Sequence, residues 1–552
     1  MASSNGKVVA APPEHLMTGG EIVVRSLSDL GALTAFGVPG QHLLAVFAAL
    51  RSSTIDYLGS RTELSAAFAA DGYARAVRDR PAVLFLSTGP GALGALAALQ
   101  ESAAAAVPIV CIVSQVPSVG LHGNRNGLLH ELPEQAAIAG GVVKQAIRVS
   151  TIAEIAPAIA DAWSLALTPP YGPTWVEIPQ DLLVGTAPAA SYRKAVSNPG
   201  NLELDERLLA RAADLLSHAE RPVIIAGGGV QRGRAETELL ELVERLRAPV
   251  VQTFGAKGVL EWEHPLSLQS WLEDRQLTDY LGSADVLLVV GSGLGELTTN
   301  YRTLAPSGHL LHIEADTRRI GANYPSLPLV GDCRQVLARL IELTSQREPD
   351  GIAEAEVAGV LAAIAERLDG QDLALERQVL STVRKSVPAG AMSMWDMTIL
   401  GYWAWSGWPE VRSGAMHSAQ GAGGLGYALP AAIGASAGNN RPVLAVSGDG
   451  GAMYGLADLA VLRERNLPVT WLIVDDGGYG ILREYMVDAF GESFGTELGR
   501  PDFVALSQSF GVPAVATTVD RLGTDLSDAM AHQGPSVVVL QTRLRMFEPT
   551  HH

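Results

Sequence analysis

The stretch GDGGAMYGLADLAVLRERNLPVTWLIVDDGGYGILREY, from Gly448 to Tyr485, opens with Asp449 between glycines and carries an acid pair, Asp475 and Asp476, near its far end. Carboxylates so far apart in the chain meet at one point only if the chain leaves through a helix and returns along a strand. The residues agree with that path. RPVLAVSGDGG reads as a buried strand ending at Ser447, followed by a helix that begins a few residues after Gly451 and runs through Arg465, and NLPVTWLIV reads as the next strand. A strand, helix and strand in this order form a parallel pair with a crossover, so both acids emerge at the carboxyl edge of an α/β sheet, where such sheets bind ligands. Flanking glycines let backbone amides approach a phosphate, and a carboxylate there can hold the cation that the phosphate needs. Mg2+ takes about six oxygen ligands and rarely receives all of them from protein, so phosphate oxygens are the natural complement.

At 552 residues the chain is too long for one core, and about one domain per 100–200 residues implies about three. AVLFLSTGPGALGALAALQ and VPIVCIVSQ read as strand, glycine turn, helix and strand in a first unit, residues 1–188, that closes near PTWVEIPQDLL. A polar link at about 187–204 leads to a central unit, 200–345, that contains RPVIIAGGGV and ADVLLVVGSGLGELTTN. A charged, Ala-rich segment at 346–370 reads as a second link, and residues 372–552 form a third unit. The expected fold is three doubly wound parallel-sheet domains, the first and third similar in rhythm as if duplicated. The glycine clusters Gly227–Gly229 and Gly291, Gly293, Gly295 give the central unit a dinucleotide-like look. Tight strand-to-helix turns need such glycines with or without a ligand, so they do not establish a bound nucleotide.

Composition narrows the partners. Asp plus Glu number 58 against 40 Lys plus Arg, a formal charge of -18, which argues against nucleic acid or an anionic membrane surface. Cys111 and Cys333 are the only cysteines, so neither a disulfide framework nor a cysteine zinc site is available, and a reducing cytosol fits best. The N-terminal MASSNGKVVAAPPEHLMTGG has no apolar core of signal-peptide type and reads as a loose arm. The uncharged run from Ser102 to Leu121 is interrupted by Pro108, Gln115 and Pro117, and reads as a helix end, a buried strand and a loop.

GDGG followed by VDDGGYG resembles the cofactor signature of the thiamine-diphosphate-dependent enzymes, and the resemblance extends over essentially the whole chain. It implies that the Asp449 and Asp476 side chains and the Gly478 carbonyl hold Mg2+, with Gly448, Gly450, Gly451 and Tyr479 against the cofactor. SRTELSAAFAADGYARA resembles the segment whose glutamate shares a proton with the cofactor's pyrimidine, which makes Glu63 the first-choice catalytic residue. QGAGGLGYALPAAIGA resembles the pyrimidine-facing segment, with the Gly423 carbonyl as partner of the amino group and Leu425 as the support that bends the cofactor. FGVPGQHLLAVF and LSTGPGALGAL resemble the decarboxylase and acetolactate-synthase group, while GGLGYALPAAIG and GGYGILR are most like benzoylformate decarboxylase. In such relatives the two halves of the site come from different subunits, which implies a homodimer or homotetramer.

Within that group the resemblance selects a 2-oxo acid as substrate and adds Gln41, His42 and His130 to the catalytic candidates. The histidine that benzoylformate decarboxylase uses before its glycine turn is missing from FLSTGPG. Acetolactate synthases usually carry an aromatic-Gln-Glu triplet where this chain has Leu129-His130-Glu131. ILREYMVDAFGESFG carries Glu484, Asp488 and Glu492, which read as a solvated acidic face or, more sharply, as the receptor for a cationic tail such as that of 2-ketoarginine. The expectation is a nonoxidative decarboxylase able to ligate its product to an aldehyde. An acetolactate-synthase-like carboligase, a noncatalytic cofactor-binding scaffold and a flavin-dependent oxidase are the alternatives.

Overall fold

Runs of buried β-branched residues build the sheets. In the computed structural model, which describes residues 15–123, 126–132, 134–200 and 202–551, Ile109–Gln115 (IVCIVSQ) is buried at every position. A strand covered by helices on both faces has no polar side to show, which is why its sequence does not alternate. The loose arm expected at the N-terminus falls mostly on residues 1–14, outside the described residues.

The first sheet runs Asp56–Gly59, Thr34–Gly37, Ala82–Leu86, Ile109–Gln115, Thr174–Pro179, Ala146–Arg148, all parallel. The third runs Met416–Ser418, Met392–Trp395, Val443–Gly448, Val469–Asp475, Ser536–Gln541, Ala514–Thr517, again all parallel. Counted in chain order, both have the arrangement 2-1-3-4-6-5, so the duplication suggested by rhythm is present as topology. The central sheet, Val250–Gln252, Pro222–Ala226, Val286–Val290, His309–Glu314, Leu327–Val330, is 2-1-3-4-5. In each sheet the order reverses between its first and third strands, and the carboxyl ends of those two strands flank a crevice. His42, Asp449 and the glycines 227–229 each follow one of these strands within a few residues. In the central crevice Arg232 lies over the glycine turn, its Nη1 2.6 Å from where a Cβ on Gly228 would stand.

Helix Glu63–Val77 of the first unit packs on helix Ala428–Asn439 of the third, and the two sheets share one hydrophobic core. Small residues let the backbones touch. A Cβ on Gly434 would stand 1.8 Å from the Ala69 carbonyl oxygen, and one on Gly72 would stand 2.0 Å from that of Ala431.

Three details depart from the sequence reading. The second link contains an 18-residue helix, Ile352–Asp369, that buries Val357, Ile364 and Leu368 in a core shared by the central and third units. The strand before Asp449 continues to Gly448 and the helix begins at Asp449 itself, because neighbouring groups rather than helix propensity dictate the glycines: a Cβ on Gly450 would stand 2.7 Å from the Tyr479 ring. A short antiparallel pair, Leu16–Thr18 with Thr186–Pro188, clasps the two ends of the first unit and was not foreseen. The uncharged run resolves as expected into the end of helix Leu96–Ala104, strand Ile109–Gln115 and a turn from Ser118. Among the described residues no helix is long and apolar enough to cross a membrane.

Gly434→Val should lower the thermal unfolding midpoint measured by calorimetry, since overpacking of this kind costs about 1–3 kcal/mol or more. Gly359→Ala, in the helix Ile352–Asp369 at a site with open space around it, is the control and should leave the midpoint unchanged or raise it.

Candidate functional site

Strand Val443–Gly448 hands directly into helix Asp449–Gly455, and its neighbour Val469–Asp475 is in register so that Gly448 pairs with Val474. The two strand ends therefore deliver Asp449, Asp475 and Asp476 to one place. The turn that follows is possible only with glycine: Gly477 and Gly478 have φ of 97° and 145°, and a Cβ on Gly478 would stand 2.0 Å from the Thr496 carbonyl oxygen. The Tyr479 N–H donates to that same oxygen at 2.8 Å, which pins the turn before helix Gly480–Phe490 begins.

A cleft of ≈ 250 Å³ opens here. Gly423, Leu425, Gly448, Gly450 and Gly451 line it, together with Asp476, Gly478 and Tyr479 from the turn. Asp449 lies beneath. Both of its carboxylate oxygens are buried without a hydrogen-bond partner, and so is Oδ1 of Asp476. Burial and the neighbouring Asp476 and Asp475 carboxylates push the Asp449 carboxyl up, and burial raises Asp476 against the pull of Arg483. Arg500 Nε lies 2.7 Å from Asp475 Oδ1 and 3.4 Å from Asp449 Oδ2, while Arg483 Nη2 is 3.7 Å from Asp476 Oδ2. Asp475 thus faces the protein, and two desolvated carboxylates are left short of positive charge.

Such a donor set fits a divalent ion on a diphosphate. No group of three or more His, Cys, Asp or Glu side chains among the described residues could hold a metal by itself. Asp449, Asp476 and the Gly478 carbonyl could supply part of an octahedron, with the rest left for phosphate oxygens and water.

Two further carboxylates shape the cleft, and neither was singled out from sequence. Asp396, at the end of strand Met392–Trp395, accepts from Ser447 Oγ at 2.7 Å and from the Tyr427 N–H at 2.8 Å. Burial pushes it up to about 6, and a Cβ on Gly451 would stand 3.1 Å from its Oδ2. Glu101, from the first unit, accepts the Ala422 N–H at 2.7 Å and pairs with Arg75 at 3.3 Å. Arg75 also pairs with Asp71, which accepts the Tyr427 hydroxyl at 3.1 Å. The loop that carries Gly423 and Leu425 is therefore held from both sides. Asp396 had a visible signal, since a lone acid directly after a buried strand stands where ligands bind; Glu101 had none, because its partner is 321 residues away.

The first-unit candidates gather around the turn Ser87-Thr88-Gly89-Pro90-Gly91. Thr88 Oγ1 lies 2.8 Å from His42 Nδ1 and 2.9 Å from Ser114 Oγ. The rings of His42 and His130 have centroids 5.5 Å apart, and burial together with His130 lowers the pKa of His42, keeping its ring neutral near pH 7. His130 adopts φ 61° with its Nδ1 buried and unpartnered, its carbonyl oxygen 2.4 Å from where a Cβ on Gly89 would be. Glu63 opens helix Glu63–Val77, and a Cβ on Gly91 would stand 3.1 Å from its Oε1. Gln41 is on the exposed side of the same loop. Glu63, His42 and His130 thus share one turn, but no first-unit residue lines the third-unit cleft.

The acidic positions at the last site helix divide between a tether and the solvated face read from the sequence. Glu484 accepts the Met546 N–H at 3.2 Å, tying down the C-terminal segment, and Asp488 and Glu492 are exposed.

Models of the thiamine pyrophosphate enzymes match the chain in three consecutive stretches: the N-terminal TPP binding domain over residues 17–138, the central domain over 209–340 and the C-terminal TPP binding domain over 396–540. A probable 2-ketoarginine decarboxylase of Pseudomonas aeruginosa is 32% identical over 543 residues, which is 97% of this chain and 96% of the relative. The acetolactate synthase large subunit of Corynebacterium glutamicum is 31% identical over 533 residues, 92% of this chain and 84% of the relative. Acetolactate synthase isozyme 1 large subunit of Escherichia coli is 28% identical over 513 residues, 90% and 88% respectively.

Asp449→Asn should raise the thermal midpoint of the metal-free protein at pH 8. The folded state holds the wild-type carboxyl above its unfolded pKa of about 3.9, so ionised Asp449 costs stability above the raised folded pKa. That cost fades as pH falls toward the unfolded value, and the gain from Asn should vanish near pH 4. Scanning calorimetry across this range checks it, and a gain that grows as pH falls contradicts the charge crowding.

Proposed function

The chain belongs to the thiamine pyrophosphate enzyme family, and from that premise we propose that it is a Mg2+-dependent, nonoxidative decarboxylase of a 2-oxo acid. The observation that carries this reading is the set of buried carboxylate oxygens of Asp449 and Asp476 that have no hydrogen-bond partner, beside the glycine backbone that lines the cleft. The name of the full-length Pseudomonas relative favours decarboxylation and suggests 2-ketoarginine as substrate.

Bound thiamine diphosphate supplies a nucleophilic carbon and the electron sink into which the bond to CO2 can break. The chain's residues do the rest. Asp449, Asp476 and the Gly478 carbonyl would hold the ion, and Arg500 and Arg483 would limit the repulsion that two carboxylates exert on a diphosphate. The Gly423 carbonyl and the Leu425 side chain, which line the cleft, would orient the pyrimidine end. Glu63 would be the carboxyl group that shares a proton with the pyrimidine, and a neutral His42, its ring fixed by Thr88, would be able to accept and return a proton near the substrate. His130, with a spare buried Nδ1, is placed to act with it. Because the cleft draws no residue from the first unit of its own chain, a homodimer in which a second copy brings Glu63 to Asp449 supports this chemistry, with a pair of dimers as its extension.

Acetolactate-synthase-like carboligation is the second reading, favoured by the Corynebacterium and Escherichia relatives. A panel of 2-oxo acids with added cofactor and Mg2+ separates the two. Stoichiometric CO2 and free aldehyde are expected from 2-ketoarginine in preference to pyruvate and benzoylformate, whereas acetolactate from pyruvate as the main product would select the carboligase. Glu63→Gln should leave cofactor affinity by calorimetry within a few-fold and lower kcat by about 10²–10⁴-fold. Unchanged turnover would overturn the assignment and leave a cofactor-binding scaffold.

A further inference from the structure

A cavity of ≈ 640 Å³ lies against the helix that the sequence presents as a link. Helix Ile352–Asp369 lines it with Leu361, Ile364, Ala365 and Leu368, and the next helix, Ala374–Ser386, with Arg377, Leu380, Ser381, Arg384 and Lys385. Each set recurs at three and four residues, so it forms one stripe along its helix. Apolar stripes of consecutive helices ordinarily bury each other, and here they face an open space instead. Trp271 and Trp403 add aromatic wall. Gly407 keeps that wall clear, since a Cβ there would stand 3.3 Å from Leu380 Cδ2 and 3.5 Å from Trp271 Cη2.

The charge along the cavity is all of one sign. Arg377, Arg384 and Lys385 line it, and no Asp or Glu among the described residues does. Arg377 pairs with Asp369. Arg384 has only neutral partners: it donates to the Pro409 carbonyl at 3.1 Å and the Val387 carbonyl at 3.5 Å, and its guanidinium lies 5.3 Å from the centroid of the Trp408 ring. Lys385 is exposed and forms no hydrogen bond or ion pair among the described residues. In a chain of formal charge -18, two cations without carboxylate partners beside apolar wall suit an anion with an apolar body.

The same wall reaches the cofactor cleft. Helix Ile399–Gly407 places Trp403 in the cavity and Ile399 and Tyr402 in the cleft. Trp403 is buried, and its Nε1 donates to the Arg545 carbonyl at 2.8 Å. Both tryptophans meet Phe547 of the C-terminal segment, with ring centroids 5.1 Å away for Trp403 and 6.2 Å for Trp271. Met546, the residue before it, is the one whose N–H Glu484 holds, so this segment ties the aromatic wall to helix Gly480–Phe490 of the site. Close-packed parts transmit displacement, and a molecule pressed against Trp403 would be felt at Tyr402 and Ile399.

We propose that this cavity is an effector site for an amphipathic carboxylate, an aliphatic chain of medium length whose head meets Arg384 and Lys385 and whose body lies between the apolar stripes. Its occupancy changes cofactor affinity through helix Ile399–Gly407. The effector role rests on the cofactor of the family and is independent of the substrate and product proposed above.

Calorimetry on the holoenzyme should show saturable binding of decanoate, no binding of acetate, and much weaker binding of decylammonium, which has the same chain and the opposite charge. Ala365→Trp, at an exposed position on the lining, should abolish binding by filling the mouth, and Lys385→Glu should weaken it by about twofold to tenfold. Coupling between sites is reciprocal, so decanoate affinity should differ between apoprotein and holoenzyme by about fivefold or more, and saturating decanoate should shift cofactor affinity by the same factor. Decylammonium binding as tightly as decanoate, or either variant binding like the wild type, would overturn the site. Equal decanoate affinity with and without cofactor would overturn the effector role. Sedimentation of Ala365→Trp supplies the last check: an altered oligomeric state would mark this face as an interface between copies of the chain and end the proposal.

Discussion

Backbone contact between the helices Glu63–Val77 and Ala428–Asn439 turns two duplicated sheets into one body. At Gly72 and Gly434 no side chain fits between them, so the spacing is set by main chain against main chain, which does not adapt as side chains do. Everything nearby takes its position from that contact. The network Asp71, Arg75, Glu101 and Tyr427 bridges the same junction and fixes the loop with Gly423 and Leu425, which borders the cleft. A change in the helix contact would be felt in the cleft through this loop.

The site itself is a concentration of negative charge that the fold only partly offsets. An acid pair after the strand adds charge where a diphosphate is expected. The structure answers with arginines: Arg500 stands between Asp475 and Asp449, and Arg483 beside Asp476. The double acid is thus matched by cations brought from later in the chain, and Asp449 and Asp476 still keep unpartnered oxygens facing the place a cation would take.

Much of the fold was legible because parallel sheets write themselves plainly. Continuous apolar strands such as LPVTWLIV and glycine turns such as STGPG, GGG and GDGG mark strand ends, and all three glycine turns do lie at the crevices where strand order reverses. The helix Ile352–Asp369 was hidden because its charged, Ala-rich surface resembles a linker, and only Val357, Ile364 and Leu368 reveal its buried face. The residues that sequence brought to one strand edge, Asp449, Asp476 and Gly478, are those whose position depends on local chain geometry. Those missed act across long separations: Glu101 on Ala422 and Arg500 on Asp449. A carboxylate's sequence neighbours do not say what it will face, which is why Glu484 looked like a receptor and instead tethers the C-terminal segment.

The unpartnered oxygens of Asp449 also bear on how this protein would respond to selection. A folded chain that holds an ionised, desolvated carboxylate with too little counter-charge is less stable than one without it, so the easiest gains in heat resistance lie in removing what the site needs. Directed evolution for robustness in a metal-free medium would drift toward neutral residues at this position and yield durable, inert protein. The same search run with the ion and cofactor present would see no such reward, and the choice of medium would decide whether the lineage keeps its chemistry.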